Sequence, residues 1–175
     1  MFTFSVLTIS IVGLFFQIVS AITAYFLSQQ LSLGEQMLKW HAIAYSYSCS
    51  NIGATGTVDK AIVGAADPTR QSELAGLWNW KTEIFNGTYN AKPSVRMVVT
   101  YVLSGDKPSG FSAADVSRQL LKITTKQHYR YGRVVSGAVK FTTYDAGTPY
   151  SIDITGLPGA VTDNAVVLVS DATCN

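Results

Sequence analysis

The chain has 175 residues, room for one ordinary domain and little for a second catalytic one. It is 47% hydrophobic with only 14% charged residues, where about 25% charged is typical, so a highly charged or disordered protein is disfavoured. A net charge of +2 and an isoelectric point of about 8.5 fall below the range above ~9 that marks a dedicated nucleic-acid domain.

The apolarity is concentrated at one end, since residues 1–34 contain no Asp, Glu, Lys or Arg. Residues 1–27 are aliphatic, aromatic, small or hydroxylic apart from Gln17. As a helix they reach roughly 40 Å, more than the ~30 Å of a bilayer's hydrocarbon core, so a transmembrane helix is expected here. No basic residue opens the run, and Ile22-Thr23-Ala24 is a poor cleavage site, so retention as an anchor in the lipid bilayer is expected. Leu27, Leu31, Leu38, Ala42 and Tyr45 lie on one helical stripe, which predicts a helical extension over 28–52. Ser48-Cys49-Ser50-Asn51-Ile52-Gly53 is its stop signal. Residues 53–175 form the remaining domain.

Two cysteines, Cys49 and Cys174, flank that domain. Two readings are open, a bridge that ties its ends together in an oxidising compartment or a pair of thiols. Lys39, beside the apolar run, is a weak vote for a cytoplasmic domain; the cysteines vote for export, and we expect the bridge.

Within 53–175, Gly56-Thr57-Val58 reads as a short strand and Ala65-Ala66-Asp67-Pro68 as a turn. Trp78 and Trp80 suit either local packing or a contact with a sugar or protein. Asn86-Gly87-Thr88 matches a glycosylation sequon but is read as a turn. Residues 94–103, SVRMVVTYVL, are rich in β-branched residues and predict a strand. Ser112 as N-cap, Asp115 as its capping-box partner and a Phe111–Val116 staple predict a helix start. Its apolar face is Ala113, Val116, Leu120 and Ile123, and it ends near Lys126. Further strands are expected over 128–136, 138–144, 150–154 and 165–169. The expected fold class is α+β: a long N-terminal transmembrane and amphipathic helix followed by a small, mostly antiparallel sheet with one packed helix.

Chemistry leaves few traces. His41 and His128 are far apart in sequence and the cysteines are isolated, which argues against a metal centre and against a Cys–His nucleophile pair. No glycine-rich phosphate loop is present. Arg118, Lys122, Lys126, Arg130, Arg133 and Lys140 form a basic run with Tyr129 and Tyr131 interleaved. A polyanion surface is conceivable there, but the modest net charge favours a solvated face.

A Tyr-containing helix end precedes Gly56-Thr57-Val58, and Pro108-Ser109-Gly110-Phe111 leads into a Leu-containing helix. Then come Tyr131-Gly132-Arg133-Val134-Val135-Ser136 and Ile154-Thr155-Gly156-Leu157-Pro158-Gly159-Ala160-Val161, the latter followed by Asn164-Ala165-Val166-Val167. In this order the motifs resemble the PilM family of thin (type IV) pilus biogenesis proteins, the third being similar to a family hairpin and the last to the family's C-terminal signature. Residues 59–92 match little, and the signature's second Pro is absent. The resemblance implies a single-pass protein of the bacterial inner membrane with its C-terminal domain in the periplasm. It further implies a role in assembling a thin pilus used in conjugation, through contacts with other proteins of the pilus assembly machinery and without enzymatic activity.

The expectation is therefore a non-enzymatic assembly component with no cofactor, no metal and no nucleic-acid partner. A minor pilin or pseudopilin is the alternative, although its short charged leader is missing and Gly34-Glu35 follows the apolar run. A membrane-tethered cell-wall enzyme is the third reading. It would need a carboxylate pair such as Asp145 with Asp153.

Overall fold

The computed structural model describes residues 17–19, 33–89, 91–103, 105, 112–124, 130–141, 144–145, 148–149, 154–172 and 174, with side chains not described for 121–124 or 141–149. Backbone contacts divide the chain into Met1–Leu33 and Gly34–Asn175. Of the first unit, Gln17, Ile18 and Val19 are helical; the rest of the expected span over 1–27 lies outside the described residues.

The second unit is a small α+β protein. Its elements are helix α1 (33–50), β1 (Gly56–Val58), α2 (Lys60–Ala66), a 3-10 turn at Pro68–Arg70, α3 (Gln71–Ala75), β2 (Lys81–Tyr89), β3 (Lys92–Val102), α4 (Ala113–Thr124), β4 (Arg130–Val135), β5 (Ala138–Phe141), β6 (Tyr144–Asp145), β7 (Thr148–Pro149), β8 (Ile154–Thr155) and β9 (Val166–Asp171). The strands β2-β3-β9-β4-β5-β8 are antiparallel neighbours, and β8 returns to β2 through Thr88↔Thr155 and Tyr89↔Ile154. The sheet is therefore a closed six-stranded barrel, with β1 added to the end of β2 that β8 leaves uncovered.

Closure and α1 correct the expected architecture. Among the described residues no helix is long and apolar enough to cross a membrane. Described helix α1 carries Glu35, Lys39 and His41, and it buries Met37, Trp40, His41, Ile43, Ala44 and Ser48. That face is broader than the single Leu-Ala-Tyr stripe expected of it, of which Leu38 is buried and Ala42 and Tyr45 are half-buried. A charge-bearing helix with one buried face belongs on the wall of a domain. Nor is there one packed helix, since α4 also buries Ala113, Val116 and Leu120, and its Gln119 Oε1 accepts from the Gly34 amide at 2.7 Å.

The barrel interior is filled by Phe85, Met97, Val99, Tyr101, Val134, Val139, Ile154, Val161, Ala165, Val167 and Val169. On β3 and β9 the alternate residues Val98, Thr100, Val102, Val166 and Leu168 are buried as well, on the outer face that the helices cover. Both faces of these strands are thus apolar, which explains their near-continuous β-branched sequence. Two glycines allow the strands to close. A Cβ on Gly132 would lie 2.6 Å from the Lys140 carbonyl oxygen, and one on Gly87 would lie 2.7 Å from the Phe85 ring and 2.8 Å from the Thr155 oxygen. The sequon read as a turn, Asn86-Gly87-Thr88, lies inside β2, beside a register shift between Gly87 and Tyr89. Its Gly is a site of close backbone approach rather than of chain reversal.

Between β4 and β5, Ser136 and Gly137 both have positive φ, 54° and 71°, and Val135 pairs with Ala138. This is the two-residue hairpin geometry that matches strand twist. At α4 the capping box is half as expected. Asp115 Oδ2 accepts the Ser112 amide at 3.1 Å, but the Ser112 hydroxyl donates to that same carboxylate at 2.7 Å instead of capping the helix. Those two bonds, followed by the nearby Arg118 guanidinium, hold the Asp115 carboxyl below its usual range. The expected staple residue Phe111 and the helix end near Lys126 lie outside the described residues.

Candidate functional site

Among the described residues, three places gather polar side chains: a buried seam under α1, a clamp at the end of α1, and a surface cleft beside β1. In the seam, β2 and β3 bring Thr82 opposite Thr100, and β9 places Ser170 opposite Val98. All three lie on the face that α1 covers. Trp40 Nε1 donates to Thr82 Oγ1 at 2.8 Å, and Thr82 Oγ1 lies 2.8 Å from Thr100 Oγ1. His41 Nδ1 lies 2.9 Å from Thr100 Oγ1, and its Nε2 lies 2.7 Å from Ser170 Oγ.

His41 is completely buried, and desolvation of the charged form pushes its pKa down from 6.5 to about 3. The ring is therefore neutral near pH 7, with one donor and one acceptor. One proton order satisfies the whole chain: the Trp40 indole to Thr82, Thr82 to Thr100, Thr100 to His41 Nδ1, and His41 Nε2–H to Ser170. A His–Ser pair at this distance has the spacing of a base and a nucleophile. Its chemistry is otherwise wrong, because a group with so low a pKa is a poor base near neutrality, and neither residue lines any of the surface hollows considered below. The seam ties α1 to three strands.

The clamp holds the other end of α1. Arg96 Nη2 donates to the carbonyls of Ser48 at 3.2 Å, Asn51 at 2.9 Å and Ala54 at 2.9 Å, the first in the last turn of the helix, where carbonyls lack helical partners, and the other two in the chain that follows it. Beside it, Cys49 and Cys174 are joined in a disulfide with their Cα atoms 5.3 Å apart. The Arg96 carbonyl accepts from the Ala172 amide at 2.8 Å, so one residue of β3 holds the helix end and the segment that carries Cys174.

The cleft, about 470 Å³, opens where the β1–α2 chain and the start of β2 diverge. It is lined by Thr57, Val58, Asp59, Lys60, Ala61, Asn79, Trp80 and Lys81. Trp80 is only 1% exposed and meets Trp78 edge-on, centroids 4.9 Å apart, so the paired Trp residues pack on each other. The Trp80 Nε1–H is buried with no acceptor among the described residues. Asp59 is occupied as the N-cap of α2, accepting the Ile62 amide at 2.9 Å. Lys60 Nζ donates to the Leu77 carbonyl, and partial burial lowers its pKa. A second hollow of about 420 Å³ between α2 and α3 shares Lys60 and Ala61 with this cleft. A third, more polar one of about 240 Å³ lies between α1 and the turn that carries Asp67 and Arg70.

The residues singled out from sequence do not converge on one site. Cys49 and Cys174 meet, His41 is in the seam, and His128, Lys126, Tyr129 and Asp153 lie outside the described residues. Asp145 is in the β6–β7 pair. Of the basic run, Arg118 is ion-paired with Asp115, the Arg130 guanidinium stands 5.1 Å over the Tyr89 ring, and Arg133 sits opposite Lys140 on the β4–β5 hairpin. Thr82, Thr100, Ser170 and Arg96 gave no local signal, because each becomes polar machinery only through partners far away in the chain. No group of His, Cys, Asp and Glu among the described residues is arranged to hold a metal ion. Comparison with protein-family models, curated proteins and solved structures finds no match to this chain.

Proposed function

We propose that this protein is a non-enzymatic assembly or scaffold component that works through protein contacts in an oxidising, extracytoplasmic compartment. The observation that carries this reading is the use to which its reactive side chains are put. His41, Ser170, Cys49 and Cys174 all hold α1 against the barrel, in positions where their chemistry is buried or consumed. A disulfide joining the two ends of a domain supports export, since thiols stay reduced in the cytosol.

The particular assembly we propose is a thin (type IV) pilus biogenesis or conjugation apparatus, and the motif resemblance is what supports it. The test is an in-frame deletion of the gene, scored for thin pili by electron microscopy and for mating in liquid. Loss of both, restored by the wild-type gene and by a His41→Gln variant that still folds, is the expected result. Intact pili and liquid mating in the deletion strain would remove the pilus reading. A folded His41→Gln variant without function would return the His–Ser pair to consideration as chemistry.

A further inference from the structure

The outer face of the β4–β5 hairpin is arranged in two tiers. Residues directly opposite each other in an antiparallel pair share a face, so the pairings Arg133↔Lys140 and Val135↔Ala138 put two cations and an apolar pair on one side of the hairpin. Arg133 also stands opposite Val166 of β9, an outer-face residue, so that side is the outside of the barrel. Arg133, Val135 and Lys140 are exposed, Val135 to 43%. Two like charges placed directly opposite repel, and neither cation belongs to an ion pair among the described residues. The tiers lie two residues apart, which in a strand is about 7 Å.

Two facing cations are complementary to one carboxylate, which accepts from a guanidinium and an ammonium at once. In an extended polypeptide, residues i and i+2 lie on one face at the same spacing of about 7 Å. An acid in such a segment reaches the cations while the residue two positions away meets Val135 and Ala138. A bilayer surface is the other partner that suits a basic hairpin with an apolar tip. Asp163 speaks against it. Its exposed side chain accepts the Gly137 amide at 2.9 Å, which sets a carboxylate at the tip, where a bilayer would be entered first. With two cations against that one carboxylate, the hairpin stays net positive. We propose that the outer face of β4–β5 docks an extended segment of a partner protein that carries an acidic and an apolar residue two positions apart. This deepens the reading of an assembly component and rests on its protein contacts, but its test does not involve pili.

The experiment titrates the purified, oxidised protein with the capped peptide Thr-Glu-Thr-Val-Thr and with two capped controls. Thr-Gln-Thr-Val-Thr lacks the charge, and Thr-Glu-Val-Thr-Thr moves the Val to the opposite face. The readout is the backbone amide resonances of Val135, Gly137 and Lys140 in a ¹⁵N–¹H spectrum. The first peptide is expected to shift them along a saturable curve. The Gln peptide should bind about fivefold weaker, the scale of two exposed ion pairs, and the peptide with the displaced Val weaker than the first as well. Arg133→Gln combined with Lys140→Gln should lower the affinity for the Glu peptide to that for the Gln peptide. The reversal Arg133→Glu with Lys140→Glu should instead prefer capped Thr-Lys-Thr-Val-Thr, a gain that loss of the fold cannot produce. No shift with the Glu peptide, equal binding of the Glu and Gln peptides, or an unchanged affinity in the double Gln variant overturns the proposal. Binding to phosphatidylglycerol vesicles with no response to the peptides assigns the face to lipid and overturns it as well. A failure here leaves the assembly reading to other surfaces, whereas intact pili in the deletion strain leave this surface standing.

Discussion

The two faces of the β3–β9 ladder hold the protein together in different ways. Inward, Met97, Val99, Tyr101, Val167 and Val169 meet the opposite barrel wall in a core built almost wholly of hydrocarbon. Outward, between Val98, Val102, Val166 and Leu168, the same strands carry Thr100 and Ser170 into the chain of hydrogen bonds that includes Trp40 and His41 of α1. Hydrophobic burial is non-directional and tolerates sliding, whereas buried donors and acceptors must be matched one to one. The interior therefore supplies most of the driving force, and the seam selects where the helix sits. The clamp of Arg96 and the disulfide belongs to the outer face too, so α1 is fixed at its middle and at its end.

Four measurements test that division, beginning with the largest effect. Replacing both Cys49 and Cys174 by Ser opens a bridge between residues 125 positions apart, for which chain-entropy models give on the order of 4 to 5 kcal/mol. Urea denaturation of the oxidised wild type and the double variant measures it. A difference below about 1 kcal/mol would mean that the seam and Arg96 hold α1 without the bridge.

The seam is expected to be acid-sensitive. His41 has a folded pKa of about 3 against 6.5 unfolded, so between these values the unfolded chain binds the extra proton. Stability from this group is full above about pH 6.5 and is lost as pH falls toward 3, by up to about 5 kcal/mol. Carboxylates titrate in the same window, so the quantity to read is the pH slope of wild type minus that of His41→Gln. Met97→Ala in the barrel interior should cost about 2 to 5 kcal/mol at every pH and keep the wild-type slope. Equal slopes in wild type and His41→Gln would show that the seam already admits water.

Barrel closure is probed by Gly132→Ala, whose methyl would press on the Lys140 carbonyl and Val139. Strain of about 1 to 3 kcal/mol is expected, visible as a lower thermal midpoint, whereas Gly53→Ala, where a Cβ meets nothing within 4 Å, serves as the neutral comparison. The smallest effect is expected from Arg118→Ala. Its ion pair with Asp115 is exposed, and such pairs contribute about 0.5 kcal/mol or less, with that little screened by salt. A loss of more than about 1 kcal/mol would place Arg118 in a network that the ion pair alone does not account for.

Much of the chain was readable locally. The β-branched run over 94–103 is the larger part of β3, Ser112 and Asp115 mark the start of α4, and the polar stretch after Ser48 ends α1, each because turns, caps and periodicity act over a few residues. β2 escaped notice. Lys81, Glu83, Asn86 and Gly87 break its apolar pattern, and they fit a strand only because Glu83 is buried under Thr57, whose hydroxyl donates to it at 2.7 Å, and because Gly87 must pass close to β8. The bridge was open to two readings in sequence and became one pairing only when β3 brought the helix end and the segment after β9 together.

By itself the sequence determined the α+β class, the position of α1, β1, β3, α4, β4, β5 and β9 and the candidate disulfide, all of which depend on neighbours in the chain or on residue type, whereas α2, where Ala65 and Ala66 read as a turn, and α3 went unseen. Only the tertiary structure decided that the sheet closes into a barrel, that α1 lies on its wall and that His41 is a neutral link. Closure joins Thr88 to Thr155, and the seam joins His41 to Ser170. Pairings between such distant residues leave no local period, and the pKa of a histidine is set by the burial they create.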